Sequence, residues 1–146
     1  CGHLIQQAPA GPTFKAVACG YWYTAGLTRE GQILCWDSFL RGEYELAHCT
    51  TQQAPTGETF QAVACAGEPI LGFMYLTYPP TRRGQTAGLT IDGRILVWGS
   101  DEYGQVSGVP AGEAFKAVAC GWRHTAGLTL DGRILVWGDD EYGQVS

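Results

Sequence analysis

Residues 87–107, AGLTIDGRILVWGSDEYGQVS, return at 126–146 as AGLTLDGRILVWGDDEYGQVS, 39 positions later and changed only at Ile91/Leu130 and Ser100/Asp139. A third, more diverged copy stands earlier: FKAVACGYWYTAGLTREGQILCW at 14–36 aligns with FKAVACGWRHTAGLTLDGRILVW at 115–137. In all three, Thr to Trp is twelve residues: Thr24 to Trp36, Thr86 to Trp98 and Thr125 to Trp137. A fixed period near 40 residues is the signature of a propeller or a solenoid.

The local pattern separates the two. FKAVACG, TAGLT and RILVWG are short runs rich in Val, Ile, Thr and aromatics, set apart by Gly-containing turns. Such runs are antiparallel strands, and no helical periodicity competes with them. The pairs Asp92-Gly93 and Asp131-Gly132 predict two-residue hairpins, because glycine accepts the positive φ that such turns need. Three or four short strands in about 40 residues make one propeller blade. The fold class is therefore all-β, built of β-propeller blades of antiparallel strands, with repeats at 14–59, 60–114 and 115–146 spanning the 1–146 chain.

Composition narrows the function classes. With 45% hydrophobic and 16% charged residues, net charge −5, the chain belongs with soluble globular proteins. Only 9 Lys and Arg are present, and Arg82-Arg83 is the single adjacent basic pair. That argues against a nucleic-acid partner, which needs clustered cations to neutralise phosphates. No apolar run approaches a membrane span, and CGHLIQQAPAG at the start has neither a basic nor an apolar signal region. Met74 is the only methionine, so the segment is expected to be a cut from a longer polypeptide.

The string AVACG(x)3TAGLT(x)DGRILVWG(x)4GQ resembles the repeat of the regulator of chromosome condensation family. Gly121, Thr125, Leu128, Asp131, Gly132, Trp137, Gly138, Gly143 and Gln144 fall on that motif in order. The resemblance implies a seven-bladed β-propeller whose repeats each straddle two blades. Seven repeats need roughly 270 residues, so the rest of the propeller is expected to lie outside this chain. The family also implies interaction functions, since its members serve as exchange factors, ubiquitin-ligase domains and scaffold subunits.

Reactive residue types invite chemical readings, and the repeat answers most of them. Cys19, Cys65 and Cys120 share one repeat position and are expected to be small buried residues; Cys35 stands where other copies have Val97 and Val136. Equivalent positions on adjacent blades seldom come within disulfide reach, which favours a reduced, intracellular compartment. No C-x2-C pair accompanies His48 and Cys49, and no G-x-S-x-G or H-E-x-x-H pattern occurs, so no metal site, cofactor or catalytic residue is expected. The acidic strings Asp101-Glu102 and Asp139-Asp140-Glu141 lack the spaced ladder of a calcium loop and read as solvated turns.

Function is sought where one copy departs from its siblings. Cys65 to Thr86 spans 21 residues, against 5 from Cys19 to Thr24 and from Cys120 to Thr125. The inserted stretch, 66–85, carries Ile70, Leu71, Phe73, Met74, Tyr75 and Tyr78, then Arg82 and Arg83. A blade already complete has no core for these side chains, so they should pack over a blade edge or bind a partner. A smaller expansion follows Trp36, and the two are expected to form one surface. Within GWRHT at 121–125, only Trp122, Arg123 and His124 vary between copies. Trp122 and Arg123 read as a surface contact, and His124 as a hydrogen-bonding strut.

These features point to a non-catalytic interaction or scaffold module, not an enzyme, that binds a protein partner through its blade loops. Two alternatives come from the resemblance alone. One is a nucleotide exchange factor acting on a small GTPase, like the family's founding member on Ran. The other is an ultraviolet-B photoreceptor, because GWRHT looks like the pentapeptide of the plant receptors of this fold, although only one copy carries it here.

Overall fold

The computed structural model describes residues 8–20, 23–37, 54–67, 84–99, 101, 104–141, 143 and 145. Each run of Val, Ala, Thr and aromatics in the repeat becomes a strand: β1 (Phe14–Cys19), β2 (Tyr23–Thr28), β3 (Ile33–Asp37), β4 (Phe60–Gly67), β5 (Gly84–Thr90), β6 (Ile95–Gly99), β7 (Phe115–Cys120), β8 (His124–Thr129) and β9 (Ile134–Gly138). They pair as three antiparallel meanders, β1-β2-β3, β4-β5-β6 and β7-β8-β9, with no helix among the described residues. Each meander is one blade, and its described strands all come from one repeat.

The Asp-Gly turns are one residue longer than the two-residue hairpin expected. Ile91 to Gly93 form the loop within the Thr90–Arg94 pair between β5 and β6, with Gly93 N–H to Thr90 O at 3.1 Å and Thr90 N–H to Arg94 O at 2.8 Å. Gly93 and Gly132 hold φ at 87° and 92°, so the glycine serves the left-handed position closing a three-residue loop. The Thr90 hydroxyl donates to Asp92 Oδ1, and Thr129 to Asp131. Arg94 and Arg133 then bridge those aspartates to Glu58 and Glu113 on the incoming segment.

A bulge at the start of every blade decides which way the core aromatic points. Pairing shifts between Phe14 and Ala16, between Phe60 and Ala62, and between Phe115 and Ala117. Phe60 lies opposite Thr90 while Ala62 lies opposite Leu89, so the two point to opposite faces despite their spacing of two. Phe60 thereby joins Val63, Cys65 and Trp98 on the face toward the first blade.

The core consists of the seams between blades. In one, Ala25, Leu27, Ile33 and Cys35 of the first blade meet Phe60 and Trp98 of the second. In the other, Ala87, Leu89 and Ile95 of the second meet Phe115 and Trp137 of the third. The rings pack tilted, with Phe60 and Trp98 centroids 6.0 Å apart and Phe115 and Trp137 6.2 Å apart. Gly88 forms the seat beneath them: a Cβ there would stand 2.5 Å from the Phe60 ring and 2.8 Å from Ile33 Cδ1. Gly127 does the same for Phe115 and Ile95. Backbone bonds stitch each seam at one end, Phe60 N–H to Gly31 O and Phe115 N–H to Gly93 O, both 2.8 Å.

Phe60 is 2% exposed, whereas its counterpart Phe14 is only half-buried on the outer face of the first blade. Phe60→Ala should lower the unfolding free energy by about 3–5 kcal/mol in urea titrations, and Phe14→Ala by clearly less. Equal losses would mean that the inter-blade seam is not where the core stabilisation resides.

Candidate functional site

The variable stretches of the repeat converge on one rim of the blades. Each β-meander places its first connection and the end of its third strand together: Tyr23 pairs with Asp37, Gln85 with Gly99, and His124 with Gly138. The insertion in the second repeat leaves this rim between β4 and β5. Its stem is longer than in the other blades, continuing through Ala66 opposite Gln85 and Gly67 opposite Gly84. The expansion after Trp36 leaves the same rim from the end of β3, on the adjacent blade. Ile70, Leu71, Phe73, Met74, Tyr75, Tyr78, Arg82 and Arg83 lie outside the described residues; what the fold supplies is the place from which they depart.

Trp122 and Arg123 stand on that rim in the third blade. Trp122 is 58% exposed, an unusual position for an indole on a soluble surface. Arg123 Nη1 lies 3.3 Å from both Asp139 Oδ2 and Glu141 Oε2, and its carbonyl accepts the Asp139 N–H at 2.9 Å. The guanidinium is thus held by carboxylates of the β9 exit. Asp101 fixes the second blade's exit, accepting N–H bonds from Val106 and Ser107 at 2.7 and 2.9 Å. Asp140 binds Val145 N–H at 2.9 Å. The acidic strings therefore serve as loop caps as well as solvated turns.

The position before the repeat threonine, variable in sequence, is an inter-blade strut. The Tyr23 hydroxyl crosses to the second blade and donates to the Gln85 carbonyl at its short contact there, with Ala66 O at 3.3 Å. Thr86 Oγ1 donates back to it at 3.2 Å. Gln85 in turn crosses to the third blade, its Nε2 donating to His124 O at 2.7 Å and to Gly121 O and Thr125 Oγ1 at 3.1 Å. Gln85 is fully buried. Tyr23 and Gln85 are each a polar side chain long enough to reach the neighbouring blade, and only the repeat's spatial stacking reveals it. His124 holds the equivalent position in the third blade.

The cysteines separate by seam. Cys35 is buried in the first seam, as expected. Cys19 is exposed, contrary to the expectation for this position, because the face of β1 that carries it has no blade against it among the described residues. Cys120 lies beside Gln85 and Thr125 in a closed seam, and burial pushes its thiol up to about 12, against smaller opposing effects of those two side chains. No cluster of metal-ligating side chains occurs among the described residues. A cleft of about 500 Å3 opens between β6 and the following connection, lined by Pro55, Leu96, Val106, Val109 and Pro110. Trp137 Nε1 donates to Gln105 O at 3.0 Å within that connection.

Residues 14–36 and 115–144 match the model of the regulator of chromosome condensation (RCC1) repeat. No curated protein matches the chain. Among solved structures, the ectodomain of the Physcomitrella patens receptor kinase CR4 is 22% identical with a TM-score of 0.67, covering 97% of this chain and 33% of that one. Human WBSCR16 is 22% identical with a TM-score of 0.63, covering 94% and 36%. Yeast RCC1 (Prp20), solved bound to Kap60, is 18% identical with a TM-score of 0.56, covering 88% and 32%. The chain thus spans about a third of the length of the solved chains it matches. Blade topology, seams and these likenesses define a β-propeller chain. Its first and third repeats match the RCC1 repeat, and together with the likeness to solved RCC1 propellers this supports an RCC1-like repeat β-propeller.

Two outcomes test this geometry. Tyr23→Phe should cost about 1–2 kcal/mol of unfolding free energy, because it strands buried carbonyls of the second blade; an unchanged urea midpoint would show the strut to be incidental. Cys120 favours its neutral form in the fold, so its contribution is whole below about pH 8.5 and fades as pH rises from there toward 12. Peptide mapping after iodoacetamide treatment of the native chain at neutral pH should find Cys120 unmodified, with full reaction in denaturant.

Proposed function

We propose that this chain is a non-catalytic protein-interaction module whose binding surface is the rim carrying the β4–β5 insertion, the β3 exit and the Trp122-Arg123 pair. The single observation that carries this reading is convergence. The repeats depart from one another at three places in sequence, and the β-meander register brings all three departures to one edge of adjacent blades. The opposite edge holds the near-identical Asp-Gly turns, whose polar groups are spent on their own closure and on bonds to the neighbouring segment and blade. Aromatic, Met and Arg residues in the insertion are the types enriched in binding hot spots.

The likenesses support a protein partner. Yeast RCC1 was solved in complex with Kap60, and Prp20p of Saccharomyces cerevisiae was characterised for binding to Gsp1p and histones. They also keep a second reading in view, that of an exchange factor for a small GTPase, in which the insertion acts as a wedge. Protein partnership is the common ground of the two readings.

The insertion is the place to test this. Shortening 66–85 to the five-residue Cys-to-Thr spacing of the other repeats should abolish capture of the partner recovered by the parent chain, with the β-sheet circular dichroism retained. Trp122→Ala should weaken that capture by about tenfold or more, the scale of an interface hot spot. Undiminished binding by the shortened chain would overturn the proposal. Accelerated nucleotide release from a Ran-type GTPase, lost on shortening, would establish the exchange reading instead.

A further inference from the structure

Propeller blades are typically four-stranded, whereas the second blade has three strands among the described residues, with β6 at the edge of its sheet. The way out of β6 does not supply a fourth: the described residues between Gly99 and Phe115 contain no strand. Val106, Val109 and Pro110 of that connection form instead one wall of the cleft of about 500 Å3. Pro55, five residues before Phe60 as Pro110 is before Phe115, lines the same cleft from the segment entering the blade. Ile95, Leu96 and Val97 line it too. Successive side chains of a strand point to opposite faces, so three consecutive residues share one lining where the strand's edge is the floor.

We infer that this edge takes an extended, uncharged segment of a protein partner as a fourth strand of the second blade. The ladder register identifies the groups that would hold it. Thr90 N–H bonds to Arg94 O at 2.8 Å, so Thr90 and Arg94 are a hydrogen-bonded pair. Bonded and non-bonded pairs alternate along an antiparallel ladder. Gly88 with Leu96 and Thr86 with Trp98 are then bonded pairs, while Leu89 with Ile95 and Ala87 with Val97 are not. The backbone N–H and C=O groups of Ile95 and Val97 therefore point away from β5, toward the cleft these residues line, and no described segment pairs with that edge. The side chains complete the seat. Ile95, Val97 and Val109 pack into the second seam, Leu96 and Ala54 into the first. Alternate side chains of an added strand would meet the Val109 wall and the Pro55 wall in turn.

Charge and size narrow the occupant. Among the described residues of the lining, only Arg94 and Glu113 are charged. Both are already answered, Arg94 by Glu58 and Asp92 at 2.7 and 2.9 Å and Glu113 by Arg133 at 2.9 Å. A charged side chain entering between the two prolines would lose water without gaining a counter-ion, so the bound stretch is uncharged. The cleft falls within the range of about 300–1,000 Å3 typical of ligand sites, and strand addition to a sheet edge is a general mode of holding an extended peptide. It lies along the edge of the blade and not on the rim, so the contact stands apart from the rim surface.

The probes are heptapeptides selected on the full chain from a phage-displayed random library and then synthesised. A selected peptide should bind with a Kd of about 100 μM or tighter by fluorescence anisotropy. In residue-resolved hydrogen exchange it should slow the Ile95 and Val97 amides and leave Leu96, already paired with Gly88, unchanged. Val97→Pro removes an outward N–H and spares the β5–β6 ladder; Ala111→Trp fills the cleft from an exposed position on its wall. Each should weaken the peptide about tenfold or more, with circular dichroism retained. The chain shortened at 66–85 should bind the peptide as the parent does, which separates this contact from the rim. No selected peptide that protects Ile95 and Val97, or one held equally by both variants, would overturn the inference. Protection of these amides without peptide would do so as well: at low concentration it would assign the edge to the chain's own segment, and if it grew with concentration, to a second copy.

Discussion

A phenylalanine seated on a glycine, with the neighbouring blade's isoleucine resting on the same glycine, is the contact on which this architecture depends. Strands of the middle row carry Gly26, Gly88 and Gly127 at one register position, and only a residue without Cβ leaves room for both ring and isoleucine. Phe60 reaches that seat because a bulge flips it out of the alternation of its own strand. Trp98 covers its outer edge, and Leu27 and Ile33 close it from the blade behind. None of these parts has a core within its own blade. A three-stranded meander of five- to eight-residue strands is too small to hide both faces, so each blade is stable only as half of two seams.

Above the apolar contact lies a polar one that fixes how far each blade slides along the next. Tyr23 and Gln85 start at equivalent positions and end on equivalent carbonyls, although one is a phenol and the other an amide. Chemistry differs and reach is shared. Such groups, buried at the seam, are costly if misregistered, since a displaced blade would leave carbonyls and an amide unpaired in a dry environment. The apolar seat supplies the bulk of the attraction, and the strut makes one alignment of the two sheets preferable to its neighbours.

Much of this could be read in the amino-acid sequence, for a definite reason. The repeat at 39 residues, the strand-length runs and the Thr-to-Trp spacing are local properties, and they led to blades of antiparallel strands that the nine strands reproduce. Turn length was misjudged at Asp92-Gly93 because an Asp-Gly pair suits both two- and three-residue loops; the hydrogen bond from Thr90 to Asp92 selects the longer one. Cys19 was expected to be buried like Cys120 because equivalent sequence positions were equated with equivalent surroundings. That equation fails in the first blade, where no described blade packs against the face that carries Cys19. The strut escaped for the opposite reason: Tyr23 and Gln85 share no chemistry, and their common role lies between blades. Of the proposed binding residues, Trp122 and Arg123 lie at the connection between β7 and β8, and the others lie outside the described residues. The two expansions leave from β3 and from between β4 and β5, and both lie outside the described residues.

The seam and the rim divide the repeat's freedom between them. A residue facing the seam is answerable to two blades at once, so substitution at Gly88, Phe60 or Leu89 must be compensated across a packed contact. At the rim, the chain between β4 and β5 leaves from a paired stem, Ala66 to Gly67 opposite Gly84 to Gln85. Loop-closure entropy grows slowly with length, so sixteen further residues there cost the blade little once the stem is paired. The same accounting explains why the opposite edge remained uniform. Its turns carry Glu58 and Glu113 contacts to Arg94 and Arg133 and the Gly31 and Gly93 carbonyls that stitch one blade to the next. An insertion at that edge would part the seam itself. Diversity is therefore confined by mechanics to the edge where it harms no seam, which is why the proposed partner surface is sought at the rim.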